Sequence, residues 1–440
     1  MRNLFALIGA FLVTFSMSAQ MNQIEFTEFD LDNGLHVILH SDNSTPIVAV
    51  SVMYHVGSKN EVEGRTGFAH FFEHLLFEGS ENIPRGQFDK HITNNGGANN
   101  AYTSQDKTFY FDLLPSNQLE LGLWLESERM LHAKVDIKGV ETQREVVKEE
   151  RRQRYENQPY GTFLLKALEN SYSDHPYRWA PIGSMDDLNA AVEADYKKFY
   201  QDFYTPNNAV LSIAGDLDIE ATKKLVMKYF GTIPQKTKDI YRPSSAMAPL
   251  TGVKRDTVYD NIQLPAVMQT YRIPALGTPD FYAVDMLSTL LAGGKSSRMY
   301  KAIVDEKQLA LQTGNFAFDL EHPGLAIAFG IANQGVEPSA LEAAIDEEIA
   351  KVQNELIGDE EFQKLVNQKE SGFIQGNSKI AGIAESLANY HMFYGDANLI
   401  NTELDRYLKV TKEDIQRVAK KYFTKDNRVI LTYLPKQNTP

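Results

Sequence analysis

A pattern that occurs twice in this sequence sets narrow limits on its architecture. Residues 196–213 read as an amphipathic helix, a turn with Thr and Asn, and an apolar strand, and residues 415–431 repeat that order. Such self-similarity indicates one structural unit in two copies. A stretch rich in Pro, Ser and Lys lies between the copies and is typical of a linker. The predicted units are a domain at residues 20–234, a linker at 235–255 and a homologous domain at 256–440.

Predicted strands and helices are mixed along each half. Asn33-Gly34 between two apolar runs is a strong hairpin signal. Because the elements do not alternate strictly as βαβ units, we expect the α+β class, with a mixed or antiparallel sheet in each domain and helices packed on it. The predicted strands are residues 25–31, 35–40, 48–54 and 108–114, and the predicted helices are 67–77, 119–131 and 140–155.

The first 19 residues have the composition of a secretory signal peptide. Arg2 precedes an apolar run from Leu4 to Phe15, and small residues up to Ala19 follow. The run is too short to span a bilayer, and no other segment reaches the roughly 18 apolar residues that a span requires. We therefore expect an exported, periplasmic or secreted protein whose mature chain has no membrane span.

Overall composition and net charge argue against one class of partner. A chain of 440 residues with 43% hydrophobic and 23% charged residues is typical of a soluble globular protein with more than one core. The net charge of −14 argues against nucleic acid as the main partner.

The stretch His70-Phe71-Phe72-Glu73-His74 is the candidate metal-binding and catalytic motif. On a helix, His70 and His74 project from one face with Glu73 beside them. Two imidazoles at i and i+4 can bind Zn²⁺, and an adjacent carboxylate can take a proton from metal-bound water. This is the inverted zinc-peptidase signature, H-x-x-E-H. The alternative is a chance match, but two His and one Glu among so many aromatic residues would be costly to bury without a cation.

A catalytic zinc needs a third protein ligand and an open position for water. The predicted helix at 140–155 offers Glu145, Glu149 and Glu150. Spacing alone does not choose among them, and the same residues would also suit a solvent-facing helix held by ion pairs such as Glu150–Arg154.

The motifs together resemble those of the insulinase/pitrilysin family of zinc metallopeptidases, in the branch of mitochondrial processing peptidase and its bacterial relatives. The matching segments are residues 67–74, 100–104, 144–150 and 175–177. The resemblance implies one Zn²⁺ per chain, bound by His70, His74 and Glu150, with Glu149 as the adjacent alternative. It also implies that Glu73 is the catalytic base of peptide hydrolysis.

One position departs from the family pattern. The family often has a further Glu seven residues before the third ligand, where it supports the site, and here that position is Gln143. An amide can still form hydrogen bonds but brings no charge, so we expect a tuned rather than abolished metal affinity or rate.

The resemblance also gives a role to Asn100, Ala101, Tyr102 and Thr103. They would form an edge strand on which a peptide substrate binds as an added β-strand. The alternative is a structural turn, since Gly96-Gly97 and Asn99-Asn100 are common turn residues.

The second half has no H-x-x-E-H and reads as a degenerate repeat without a metal site. In the family this half can carry an Arg and a Tyr, seven residues apart, that hold the substrate; here Val304 and Leu311 stand at those positions. Arg298 and Tyr300 are nearby with the wrong spacing. We therefore expect a heterodimer with an inactive homologous subunit that supplies the pair, and a homodimer is the alternative.

Two other functions compete with the peptidase. Some family members are structural or assembly subunits, and these are marked by a broken metal motif. The ligands alone would also permit zinc-dependent hydrolysis of another bond. The intact motif and the predicted edge strand favour a zinc-dependent endopeptidase that acts on peptides or unfolded polypeptides in a chamber.

Overall fold

Two β-sheets with helices packed on their faces form the core of the molecule, so the predicted α+β class is confirmed. The computed structural model describes residues 23–236 and 239–436. The strands are β1 Thr27–Asp30, β2 His36–Ser41, β3 Ile47–Tyr54, β4 Ala98–Thr103, β5 Thr108–Pro115, β6 Ala209–Gly215, β7 Lys254–Asp260, β8 Ala266–Arg272, β9 Ala310–Phe318, β10 Leu325–Ala332 and β11 Arg428–Pro435. The helices are α1 Phe68–Leu75, α2 Phe88–Asn94, α3 Leu119–His132, α4 Ile137–Arg151, α5 Phe163–Ser171, α6 Met185–Ala190, α7 Glu193–Phe203, α8 Ile219–Phe230, α9 Pro279–Ala292, α10 Pro338–Asn354, α11 Asp359–Gly376, α12 Ile380–Tyr394, α13 Leu399–Leu408 and α14 Lys412–Tyr422.

The two sheets share one topology. The first has the order β1-β2-β6-β3-β5-β4 and the second has β7-β11-β8-β10-β9. In the first sheet β6 lies beside β2 and is parallel to it, and in the second sheet β11 lies beside β7 in the same way. All other neighbouring strands are antiparallel. The sequence repeat therefore corresponds to a structural repeat, and β1 is an addition to the first sheet.

Local sequence signals explain two element boundaries that matter for the site. Gly34 adopts φ 82° at the turn between β1 and β2, a conformation that glycine adopts without strain. Helix α4 begins after Asp136, whose side chain caps it by accepting a hydrogen bond from the Gly139 amide at 2.8 Å. After Arg151 the chain continues into a π-helical turn, Arg152–Glu156.

The halves exchange helices across their boundary. Helix α5, from the first half, packs on the second sheet through Ala167, which joins an apolar cluster with Met268 and Leu431. Helix α12, from the second half, packs on the first sheet through Leu387, which lies in a cluster with Ile38 and Met53. Each sheet is therefore covered on one face by a helix that is distant in sequence.

The segment between the sheets lies against the first half. The ammonium group of Lys236 donates to the carbonyl oxygens of Met130 at 2.8 Å and Tyr204 at 2.7 Å, and the Arg242 guanidinium donates to that of His55 at 3.1 Å. No helix of the described residues is long and apolar enough to cross a membrane. The predicted signal peptide lies outside the described residues.

Candidate metal centre

Helix α1 presents the two histidines of the motif. Its N-terminus follows Gly67, at φ 92°, and the buried carboxylate of Glu61 accepts hydrogen bonds from the amides of Gly67 and Ala69, both at 2.9 Å. An acidic group at this end also complements the helix dipole. The apolar face is anchored by Phe71 and Phe72, which stack against aromatic rings of α7. The opposite face of the helix is thereby held towards α4.

The structure brings His70, His74 and Glu150 together, although about 75 residues separate the helices in sequence. Oε2 of Glu150 lies 3.5 Å from Nε2 of His70 and 3.2 Å from Nε2 of His74. One donor atom from each residue lies within 4.8 Å of the others, and the two rings are inclined by 77°. Two imidazoles and one carboxylate are a common donor set for catalytic zinc, so these residues fit the implied metal.

The pKa shifts of His70 and Glu150 favour the protonation states that bind a metal ion. Burial, followed by the nearby His74, lowers the pKa of His70 to about 4, so its imidazole is neutral at pH 7. Burial alone would raise the pKa of Glu150, but the hydrogen bond with His74 and the charges of His70, His74 and Arg154 together lower it. A neutral imidazole and an ionised carboxylate are the forms that bind a metal cation.

Glu145 and Glu149, the other two candidates for the third metal ligand, contact residues of their own helix or of the turn after it. Glu149 bonds to Arg152 at 3.2 Å and Gln153 at 3.0 Å, and Glu145 pairs with Lys148 at 2.8 Å. Their side chains are 52% and 65% exposed, whereas that of Glu150 is 16% exposed. The second oxygen of Glu150 pairs with Arg154 at 2.8 Å, which leaves Oε2 directed at the histidines.

Glu73 lies between the donor set and the edge of the first sheet. Its Oε2 accepts a hydrogen bond from the Thr103 hydroxyl at 2.7 Å, and burial raises its pKa. Thr103 ends β4, which is the edge strand of the sheet. The contact therefore joins the acid of the motif to the strand that was predicted to bind substrate.

The four predicted strand residues lie in β4 rather than in a turn. Their cross-strand neighbours in β5 run from Phe111, opposite Asn100, to Thr108, opposite Thr103, and Ala101 lies between them. The Tyr102 hydroxyl donates to Glu385 of α12 at 2.6 Å. A helix from the second half thus borders the edge strand, which local sequence patterns did not reveal.

Gln143 lies two turns before Glu150 on α4. Its amide donates to Glu78, which also pairs with Arg85 at 3.1 Å. Gln143 therefore contributes to a polar cluster at the far end of the α1–α4 contact. Sequence reasoning also missed Glu61, because a single loop glutamate carries no signal of its capping role.

Comparison with known proteins places this architecture and motif in one family. The family model described as insulinase (peptidase family M16) matches residues 36–178, and that of the peptidase M16 inactive domain matches residues 192–369. The zinc protease PqqE of Helicobacter pylori is 32% identical over 438 residues, with 98% of each chain covered.

The chain belongs to the insulinase family, M16.

Solved structures agree with the M16 assignment. A crystal structure of a protease from Helicobacter pylori has a TM-score of 0.89 and 31% identity, and it covers 94% of this chain and 100% of that one. The periplasmic protease PqqL of Escherichia coli has a TM-score of 0.74 and 18% identity, with 93% of this chain matching 47% of that longer chain. The fold of this M16 chain thus corresponds to about half of the longer protein.

The inactive-domain half contains neither an Arg nor a Tyr at the positions where the M16 resemblance leads one to expect them. Val304 packs partly against the second core, and Leu311 is 61% exposed on β9. The nearby Arg298 is paired with Glu361 through two hydrogen bonds of 2.9 and 2.7 Å.

Proposed function

We propose that this chain is a zinc-dependent endopeptidase that hydrolyses peptides or unfolded polypeptides held as an added strand on β4. One observation carries the proposal: the His70, His74 and Glu150 donors converge beside Glu73, and Glu73 is hydrogen-bonded to the edge strand through Thr103. The proposed catalytic residues therefore lie next to the strand that would bind the substrate. Membership of the M16 family supports a peptidase in general.

The chain's own residues would divide the work as follows. His70, His74 and Glu150 would hold Zn²⁺, which when bound polarises a carbonyl and lowers the pKa of water. Glu73 takes a proton from the attacking water and delivers it to the leaving amine. Burial raises the pKa of Glu73 towards neutral pH, which suits a group that must both accept and donate a proton. The Thr103 hydroxyl orients the carboxyl towards the strand.

Strand β4 would bind the peptide backbone. An edge strand presents unpaired amide and carbonyl groups, and a peptide that pairs with them is held with little dependence on sequence. Asn100, Ala101, Tyr102 and Thr103 would provide this edge, and the last of them contacts Glu73. A substrate bond held next to Thr103 would thus lie beside the proposed base.

The complete enzyme would require a second chain. Neither Val304 nor Leu311 can donate a hydrogen bond through its side chain, and the guanidinium of Arg298 is paired with Glu361. A homologous inactive subunit would supply the Arg/Tyr pair and close the chamber, with a homodimer as the alternative. The N-terminal sequence favours export to the periplasm.

A second candidate is a catalytically weak or structural subunit of a processing-peptidase-like complex. The missing Arg/Tyr pair and the uncharged Gln143 favour it. In that case the donor set would still bind zinc, but turnover would be low with or without a partner.

Metal content measured together with cleavage of a quenched peptide library tests these alternatives. For the proposed enzyme we expect about one catalytic zinc per chain and cleavage that Glu73→Gln largely removes, while the control Glu149→Gln leaves cleavage unchanged. Cleavage that appears only when a homologous chain is added supports the heterodimer. A zinc-loaded protein that stays inactive with every candidate partner contradicts the peptidase, and full activity of the lone chain contradicts the heterodimer.

A further inference from the structure

A second group of metal-type donor atoms lies far from the motif, where α12 crosses the hairpin of β1 and β2. Glu28, His36 and His391 each place one donor atom within 4.8 Å of the others. Apart from the candidate metal centre, this is the only such group of three among residues 23–236 and 239–436.

The added strand β1 supplies one member of this group, Glu28, and the neighbouring carboxylate of Asp30. Asp30 lies directly opposite His36 in the β1–β2 register, and Glu28 lies two residues before Asp30, on the same face of the strand. Helix α12 brings His391, whose ring stacks on that of His36 with centroids 3.4 Å apart and planes inclined by 9°. The group therefore joins the two halves through a strand that the second sheet lacks.

In its neutral form, the ring of His36 has one proton for two carboxylate contacts. Nδ1 lies 2.7 Å from Oδ1 of Asp30, so the single proton of a neutral ring is donated there. Nε2 then carries a lone pair, is buried, and has no hydrogen-bond partner among the described residues. It lies 3.4 Å from Oε2 of Glu28. Either a second ring proton or a bound metal cation would satisfy this contact between the ring nitrogen and the carboxylate oxygen.

We propose that Glu28, His36 and His391 bind a divalent transition-metal ion of the zinc class, which fastens α12 to the β1–β2 hairpin. Imidazole and carboxylate donors suit zinc, nickel or copper rather than calcium or magnesium. Asp30 is a positioning residue that fixes the ring of His36, as carboxylates behind metal-bound histidines do. Glu28 and Asp30 contribute two carboxylates, whose charge a divalent ion would neutralise.

The two stacked rings would have to rotate in order to bind one ion together. Two ligands of a tetrahedral zinc ion, each about 2.1 Å from it, lie about 3.4 Å apart. The three donor atoms already lie within 4.8 Å of one another, and binding would require the two stacked rings to turn out of parallel so that their lone pairs converge on the ion. Because α12 also carries Glu385, the partner of Tyr102, the ion would anchor the helix that borders β4.

Zinc counting by mass spectrometry on the full-length protein tests this site separately from the proposed function. We expect two zinc ions per chain in the wild type, one in Glu28→Gln and one in His391→Phe. The variant His74→Ala should also bind one, because it loses the ion of the motif and retains the second. His132→Phe is the matched control, since His132 forms an isolated pair with Glu81 at 3.1 Å, and it should bind two.

A wild-type count of one, unchanged by Glu28→Gln and abolished by His74→Ala, overturns the second site and leaves a protonated His36 as the cation. Glu28 is exposed, so its substitution preserves the fold even if His391→Phe does not. Zinc should also raise the melting temperature of His74→Ala, and this shift should vanish when Glu28→Gln is added.

Discussion

The helices that follow equivalent strands in the two sheets carry different charged groups. In the first half, α1 follows β3 and packs against α4, and two imidazoles face the carboxylate of Glu150. In the second half, α9 follows β8 and packs against α11, where Asp285 pairs with Lys369 at 2.6 Å. The hydroxyl of Tyr407 also donates to Asp285, at 2.8 Å.

The difference lies in the source of the positive charge. In the second half, the ammonium group of Lys369 neutralises the carboxylate of Asp285, so this pair needs no bound cation. The first half places two imidazole rings there, which are ligands suited to an external metal cation. One topology therefore yields a closed ion pair in one copy and an open metal-type site in the other, through a few side chains on two helices.

Removal of one imidazole should give the largest effect. We expect His74→Ala to lose the zinc of the motif and to lower peptide cleavage roughly a thousandfold or more, because metal chemistry supplies several kcal/mol of transition-state stabilisation. Metal analysis and a peptide assay measure both losses. Asp285→Asn, at the equivalent contact of the second half, is the control and should change neither.

Removal of the base alone should separate binding from chemistry. We expect Glu73→Gln to keep its zinc while kcat falls roughly 10²–10⁴-fold, because the amide cannot accept the proton from water. Steady-state kinetics with parallel metal analysis measures the two quantities. A variant that turns over at the wild-type rate would show that Glu73 is not the base.

Breaking the ion pair of the second half should affect stability without affecting metal. Lys369→Met leaves the partly buried carboxylate of Asp285 without its cation, so we expect the free energy of unfolding to fall by about 2–3 kcal/mol. Urea denaturation measures the change. The exposed Lys409→Met is the control and should cost less than about 0.5 kcal/mol. A change in zinc content would contradict the comparison.

The smallest expected effect concerns the contact between the halves at low pH. Burial alone would raise the pKa of Glu321, but the hydrogen bond and charge of His55 and the charge of Lys59 lower it to about 2. A depressed carboxyl pKa stabilises the fold above pH about 4.5, and the contribution is lost as pH falls towards 2. Since a quarter of the side chain is exposed, we expect at most about 2 kcal/mol.

Denaturation of wild type and Glu321→Gln at pH 7, 4 and 3 measures this contribution. The wild type should lose more stability than the variant across that window. Equal losses in both proteins would show that Glu321 does not support the contact.

Local patterns predicted a good part of the fold. The Asn33-Gly34 turn, the strand before the motif and the helix that carries it all depend on neighbouring residues, and each occurs in the structure. The bounds differ by a few residues where side chains intervene: helix α4 begins at Ile137 because Asp136 caps it. The exchange of α5 and α12 between the sheets was not predictable, because apolar periodicity indicates that a face is buried but not what buries it.

Some residues of the candidate site could likewise be predicted from local sequence, whereas others depend on packing. The spacing of His70, Glu73 and His74 is a property of one helix, so the sequence placed them on one face before any packing was known. The choice of Glu150 over Glu149 depends on how α4 is rotated against α1, and residues about 75 positions apart set that rotation by filling a shared core. Likewise, Glu28 and His36 meet His391 only because α12 lies on the first sheet. Periodicity acts over a few residues, whereas contacts between distant segments are selected by the packing of the whole chain.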